Sequence, residues 1–272
     1  MRIVNLIEDT EGVSGCAFEH GLSFYMETAK HKILLDFGAS EKTIENAAKL
    51  GIDLAGVDIA ILSHGHYDHA GGIIPFTKLC PDAVIYMQES ASNAYYHLKG
   101  DKARYIGIDA EINNLLQVKK IVGNYVIDDE VELFSGIKGR KFFAKGNMEL
   151  KQKIDNEYIQ DSFAHEQCAV IRQENFTVLF SGCAHNGILN IMDRYYELYK
   201  DYPSVVISGF HMAQKHGYSD TDLENIRCTA NELLKTGTVF YTGHCTGKEA
   251  IKEMHKIMED KLKVIHSGMT LF

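Results

Sequence analysis

Four side chains able to bind a metal fall within positions 64 to 69 of this chain, in Ser63-His64-Gly65-His66-Tyr67-Asp68-His69-Ala70-Gly71-Gly72. They follow Val57-Asp58-Ile59-Ala60-Ile61-Leu62-Ser63, a nearly continuous apolar run that suits a strand buried on both faces. The cluster therefore sits where a buried strand ends. Extended backbone puts residues 64, 66 and 68 on one face, because strand side chains repeat every second residue, whereas a helix would send His64 and His66 nearly to opposite sides. Neutral imidazoles and a carboxylate suit borderline divalent cations, and ligands drawn from one loop hold an ion at small entropic cost. Gly71 and Gly72 let the chain turn tightly into a following helix without a β-carbon clash.

What surrounds the cluster narrows the class. The 272 residues favour one large domain or two fused halves, and 45% hydrophobic with 24% charged residues exclude disorder, collagen and coiled coil. No apolar run approaches the roughly 18 residues of a membrane span. The N-terminus carries acids where a signal peptide needs its hydrophobic stretch, so the expectation is a cytoplasmic protein without a membrane partner. Cys16, Cys80, Cys168, Cys183, Cys228 and Cys245 are far apart with no C-x-x-C pair, which points to reduced thiols. A net charge of -9 without a basic run argues against nucleic acid as a partner. No glycine pattern of the dinucleotide, P-loop or serine-hydrolase type opens a helix. The expected partner is a small-molecule substrate.

Hydrophobic period predicts strands at RIVNLIE, SFYMET and KILLDF, then a helix in SEKTIENAAKLG with Ile44, Ala47 and Ala48 on one face and Gly51 as its stop. AVIYM reads as a strand and ESASNAYYHL as a short helix. From about Lys99 to Gln160 the pattern weakens to short strands at NYVI, VELF and KFFA, the mark of a variable insert or lid. QCAVIRQ and FTVLFS then form two strands joined by a turn at Glu174 and Asn175. A helix through Ile188 to Tyr195, the strand SVVIS, a helix opened by Ser219 and Asp222, the strand TVFYT, a last helix opened by Thr246 and Glu249, and a strand at KVIHS complete the chain. Meandering strands followed by strand–helix alternation suggest sheets inside and helices outside.

The loop of His64, His66, Asp68 and His69 resembles the H-x-H-x-D-H signature of the metallo-β-lactamase superfamily. Glu19-His20-Gly21-Leu22-Ser23, Asp36-Phe37-Gly38, His165-Glu166-Gln167, Gly182-Cys183-Ala184-His185-Asn186-Gly187, Gly209-Phe210-His211 and Gly243-His244-Cys245-Thr246-Gly247 are similar to one branch of it. That branch is the 7,8-dihydropterin-6-methyl-4-(β-D-ribofuranosyl)aminobenzene-5'-phosphate synthase type. The resemblance implies an α/β fold, a four-layer αββα sandwich with a metal site at the strand ends between two sheets. It implies one domain over 1–272, with pseudo-symmetric halves of about 1–135 and 136–272 and the insert at about 90–160. His244, at the end of the strand TVFYT, matches the superfamily's last histidine. His185 and His165 compete for its third-histidine slot, with a supporting role open to His165. Cys183 stands where a metal-bridging aspartate is usual, and is either a thiolate ligand or a buried inert cysteine.

The expected cofactor is one or two divalent ions, zinc first, with manganese or iron as alternatives, held by His64, His66, Asp68, His69, His165, Cys183, His185 and His244. Asp68 doubles as the catalytic acceptor that orients a nucleophile. His20 and His211 are read as pocket residues, and Arg104 as a bidentate contact for an anionic substrate. The expectation is a metal-dependent hydrolase or transferase acting on a small anionic, phosphate- or pterin-like molecule. Displacement of diphosphate from a dihydropterin, as in the branch's namesake, is the alternative. A diiron redox protein is disfavoured by His66, where such members commonly carry an acid, and a non-catalytic binding module by the intact ligand set.

Overall fold

The computed structural model describes every residue except Ser14. Strands β1 (Arg2–Ile7), β2 (Ser23–Glu27) and β3 (Lys32–Leu35) form an antiparallel meander. Parallel addition of a strand needs a crossover. Helix α1 (Lys42–Lys49) provides it for β4 (Ile59–Ile61), and α2 (Tyr67–Ala70) with α3 (Ile73–Leu79) for β5 (Val84–Gln88). Strands β6 (Ala94–Lys99) and β7 (Lys102–Tyr105) leave for a separate sheet before β8 (Val118–Ile121) returns beside β5.

The chain then enters a second sheet with β9 (Tyr125–Val126) and β10 (Val131–Phe134), and departs again for β11 (Leu150–Ile154) and β12 (Glu157–Gln160). It resumes with β13 (Cys168–Gln173), β14 (Phe176–Phe180), α4 (Ile188–Tyr199), β15 (Val205–Ile207), α5 (Asp220–Leu234), β16 (Val239–Thr242), α6 (Lys248–Met258) and β17 (Leu262–Val264). The sheet orders are β1-β2-β3-β4-β5-β8, β17-β16-β15-β14-β13-β10-β9 and β12-β11-β6-β7.

Side-chain alternation builds the layers. Ile3, Phe24, Ile33, Leu35, Ile59 and Ile61 of the first sheet share one core with Ala169, Ile171, Val178, Phe180 and Ile207 of the second. Their sequence neighbours Val4, Tyr25, Leu34 and Ala60 face the opposite way, toward the layer holding α1 and α3. Val170, Leu179, Val206 and Phe240 likewise pack on α4, α5 and α6. The result is the αββα sandwich. No helix among the described residues is long and apolar enough to cross a membrane.

Several local expectations are overturned. ESASNAYYHL is not a helix: one 3-10 turn at Glu89–Ser92 leads into β6, which hairpins onto β7 through Gly100 at φ +57°. KFFA forms no strand, because the Lys141 amide and carbonyl are taken by the side chain of Asn190. Ala48 is exposed on α1, where Thr43, Asn46 and Ala47 are the buried positions. Thr246 does not cap α6. Its hydroxyl accepts from the Phe210 amide and pairs with Thr242, leaving Gly247 at φ +83° as the cap. The chain passes from the first sheet to the second between Ile121 and Tyr125, where β9 and β10 join β13. The extended backbone expected through residue 68 ends at His66, and α2 carries Asp68 and His69.

Candidate metal centre

Every contributing side chain leaves a strand end or a loop at one edge of the sandwich. His64 and Asp68 follow β4, Cys183 and His185 follow β14, His211 follows β15 and His244 follows β16. These are the carboxyl ends of parallel strands, where open α/β sheets leave room for a ligand. The tight turn out of the loop depends on Gly71, where a β-carbon would sit 2.1 Å from the Ala39 carbonyl.

Hydrogen bonds decide which histidine nitrogens are bare. Ser63 Oγ donates to Asp36 at 2.7 Å, so it accepts from Nδ1–H of His64 at 2.9 Å. Asn147 Nδ2 donates to the His185 carbonyl, which fixes the amide and turns its oxygen to Nδ1–H of His185 at 3.0 Å. Both Nε2 atoms are therefore acceptors, and they face each other at 3.3 Å. The rings of His64 and His66 lie 4.6 Å apart, those of His66 and His185 4.8 Å. His66 Nε2 is buried with no hydrogen-bond partner. Burial first, then neighbouring histidines, holds His64 and His185 well below the usual imidazole range. Burial and His165 bring His66 to about 3.

A second group repeats the logic with carboxylates. His69 Nδ1 donates to Asp36 at 2.7 Å and His244 Nδ1 to Asp9 at 2.6 Å, which leaves their Nε2 atoms facing each other at 3.2 Å. Asp68 Oδ2 lies 3.5 Å from the first of these and 3.4 Å from the second. Burial opposes ionisation of Asp68, yet His69 and His244 hold its pKa far below the carboxylate range. Cys183 Sγ is 3.2 Å from His69 Nε2, and it lies within 4.8 Å of ligand atoms of both His64 with His185 and His69 with His244. Lone pairs pressed together in a buried space need a proton or a cation between them. The donor set of imidazole, carboxylate and thiolate fits a borderline divalent ion.

His165 is turned away from this convergence. Its Nδ1 accepts the Gly65 amide at 2.9 Å, so the proton is on Nε2, directed at Asp161 at 3.1 Å. It joins Asp161 and His66 in a separate close group, but both its nitrogens are engaged, whereas His185 keeps Nε2 bare beside His64. His165 instead pins the loop between His64 and His66. His20 lies at the mouth with its side chain 58% exposed, Nδ1 paired with Asp9 at 2.9 Å and Nε2 3.5 Å from Asp68. The Asp9 hydrogen bond raises its pKa against the pull of burial. His211, at φ +49°, has its ring centroid 4.2 Å from that of His185 at a tilt of 50°, and borders a cavity of about 120 Å³ lined also by Phe142, Phe143, Lys145, Met212 and Asn225. Arg104 on β7 lies 5.7 Å over the ring of Tyr67, a residue of the ligand loop.

Several supporting residues escaped the sequence reading. Asp36, Asn147 and Asp161 each orient one histidine, and Asp9 orients both His244 and His20. Buried Glu166 accepts from the His185 and Asn186 amides and the Asn186 side chain, shaping the loop after β14. Asp36-Phe37-Gly38 and His165-Glu166-Gln167 were visible as motifs, but nothing in one sequence marks Asp9 or Asn147.

Comparison with known proteins agrees with the geometry. The family pattern described as "Metallo-beta-lactamase superfamily" matches residues 17–146. A 7,8-dihydropterin-6-methyl-4-(beta-D-ribofuranosyl)-aminobenzene-5'-phosphate synthase of Methanocaldococcus jannaschii is 28% identical, over 98% of this chain and 95% of its own. An uncharacterized protein of the same archaeon is also 28% identical, over 94% of each chain. The crystal structure of a metal-dependent hydrolase of the β-lactamase superfamily superposes with a TM-score of 0.83 at 28% identity, covering 100% of this chain and 98% of the other. Zinc-bound PqqB from Methylobacterium extorquens shares the fold, with a TM-score of 0.57 at 11% identity and 100% of both chains covered. The chain resembles the metallo-β-lactamase superfamily in sequence and fold, and within it the dihydropterin-ribofuranosylaminobenzene phosphate synthase branch.

Proposed function

We propose that this protein is a metal-dependent enzyme, a hydrolase first, acting on a small anionic substrate with a phosphate- or pterin-like group. The observation that carries the reading is the pair of converging groups, His64 with His185 and His69 with His244, with Cys183 between them. His64, His66 and His185 would hold one ion, Asp68, His69 and His244 a second, and Cys183 would stand between the two. Bound there, one or two divalent ions, zinc first, would polarise a substrate oxygen and make water acidic enough to react near neutral pH.

The chain's own groups supply the rest. Asp68 Oδ2, within 3.5 Å of His20 Nε2, is the acceptor that orients an incoming nucleophile. His20, tied to Asp9 and open to solvent, exchanges protons at the mouth. Arg104, over the ring of Tyr67 in the ligand loop, supplies charge to an anionic substrate. The αββα layers exclude water from behind the site, since His64, His69 and His165 are fully buried. The expected setting is the cytoplasm, in keeping with six unpaired cysteines.

A transferase is the second reading, favoured by the full-length similarity to the archaeal synthase. There Arg104 and His20 would meet the leaving diphosphate, and no water would be activated. Metal content of protein purified without oxygen, for wild type and His64→Ala, is the test. About two equivalents falling in the variant supports the reading, and a screen of phosphoesters, lactones and pterin diphosphates then separates hydrolase from transferase. Protein that takes up no metal, even with added zinc, overturns both.

A further inference from the structure

Cys245 has no place in either histidine group, yet its thiol is buried beside Cys183 and His211. The two sulfurs and one His211 ring nitrogen all lie within 4.8 Å of one another. Tetrahedral zinc, with sulfur at about 2.3 Å and nitrogen at about 2.0–2.1 Å, spaces such atoms roughly 3.5–3.8 Å apart. The observed limit of 4.8 Å brings the three ligand atoms within about 1 Å of that spacing.

Three further features shape the spot. The backbone N–H of His211 donates to Cys245 Sγ at 3.3 Å, a bond that favours sulfur as thiolate. Gly209 leaves the space for that sulfur, since a β-carbon there would sit 2.4 Å from it. His211 Nδ1 is buried with no hydrogen-bond partner, and its φ of +49° is one a non-glycine residue rarely adopts, which marks the ring position as held by its surroundings. The other four cysteines join no such group among the described residues.

We propose that Cys183, Cys245 and His211 form a thiolate-rich metal position of their own, selective for a thiophilic ion such as zinc or cadmium over magnesium or manganese. It shares Cys183 with the histidine centre and is otherwise separate from it. Two thiolates and one imidazole leave a fourth position open, the pattern of a reactive rather than a purely structural zinc site. Soft sulfur ligands give the selectivity, because magnesium and manganese prefer oxygen.

The test is a cadmium titration of the full chain, stripped by a chelator and kept reduced with a phosphine, followed by the ultraviolet thiolate-to-cadmium charge-transfer band. The double variant His64→Ala/His69→Ala, which disables the histidine centre, is expected to keep one cadmium with the band, displaced by zinc and untouched by excess magnesium. Adding Cys245→Ser to it should remove the band or cut it to about half, as one of two thiolates is lost. Cys245→Ser in the otherwise wild-type chain should also lower the band, which guards against misfolding of the multiple variants. A double variant that folds but shows no band overturns the proposal, as does a band indifferent to Cys245→Ser. The readout is independent of turnover: an inactive protein with this band would sink the functional reading alone, and metal-dependent turnover without it would sink the thiolate site alone.

Discussion

The two groups of the centre are braced by different chemistry. His64 and His185 rest on neutral oxygens, the Ser63 hydroxyl and the Asn147 amide, whereas His69 and His244 rest on the carboxylates of Asp36 and Asp9. The first group is buried and surrounded by other imidazoles. The second includes Asp68 and reaches solvent through His20. A carboxylate behind an imidazole makes its free nitrogen the stronger donor, and the negative charges of Asp9, Asp36 and Asp68 favour a dication on that side. Under the proposed function, one group would hold an ion and the other would both hold one and handle protons.

The comparison breaks most directly at Asp36, which both groups use: it accepts from the Ser63 amide, the Ser63 hydroxyl and His69. Asp36→Ala leaves these buried donors unpaired and is expected to cost about 3–5 kcal/mol. A urea denaturation midpoint reads this directly, and a loss under about 1 kcal/mol would show that the anchor is not shared.

Asp9→Asn should act on one group alone. Metal affinity is expected to fall about 10–100-fold, the usual effect of removing a histidine's carboxylate partner. Competition with a chromophoric chelator measures it. Asn147→Ala, which removes a neutral partner, should cost less than about tenfold by the same assay. Equal losses in the two variants would erase the distinction between the groups.

The smallest effect tests the framework away from the site. His31 sits between Asp128, 2.8 Å from its Nε2, and Asp58 on its other nitrogen, joining the first sheet to the turn before β10. Burial pushes its pKa down, but the hydrogen bonds to Asp128 and Asp58 raise it above the usual value. The folded chain then holds the proton more tightly than the unfolded one. The resulting stability is fully present below the unfolded value of about 6.5 and is lost as pH rises through the folded value. His31→Gln should flatten the fall in denaturation midpoint between about pH 6 and about pH 8. An unchanged slope would remove His31 as its source.

Legibility followed local signal. Strands such as Lys32–Leu35 and Phe176–Phe180 were readable because apolar runs bounded by polar turns have few other uses. The sheet of β6, β7, β11 and β12 was not, since its strands mix lysine, glutamine and tyrosine and both outer strands are exposed throughout. Tyr95 and Tyr96 read as a helix because two tyrosines carry no period. Only pairing with β7 and β11 turned one inward and left the other half-exposed. His165 and His185 could not be ranked from sequence, as both precede or follow predicted strands.

Sequence alone determined the order of sheets inside and helices outside, from periodicity, and the strand-end position of His64, His66, Asp68 and His69, from a short string whose members are neighbours in the chain; the sandwich itself was what the resemblance carried by that string implied. Tertiary structure alone decided which nitrogen of each histidine is bare and which group it joins. Asp9 and His244 are 235 residues apart, and His165 and Gly65 100 apart. A proton's place on an imidazole is set by whatever acceptor folding brings against the other nitrogen, and no local pattern encodes that acceptor.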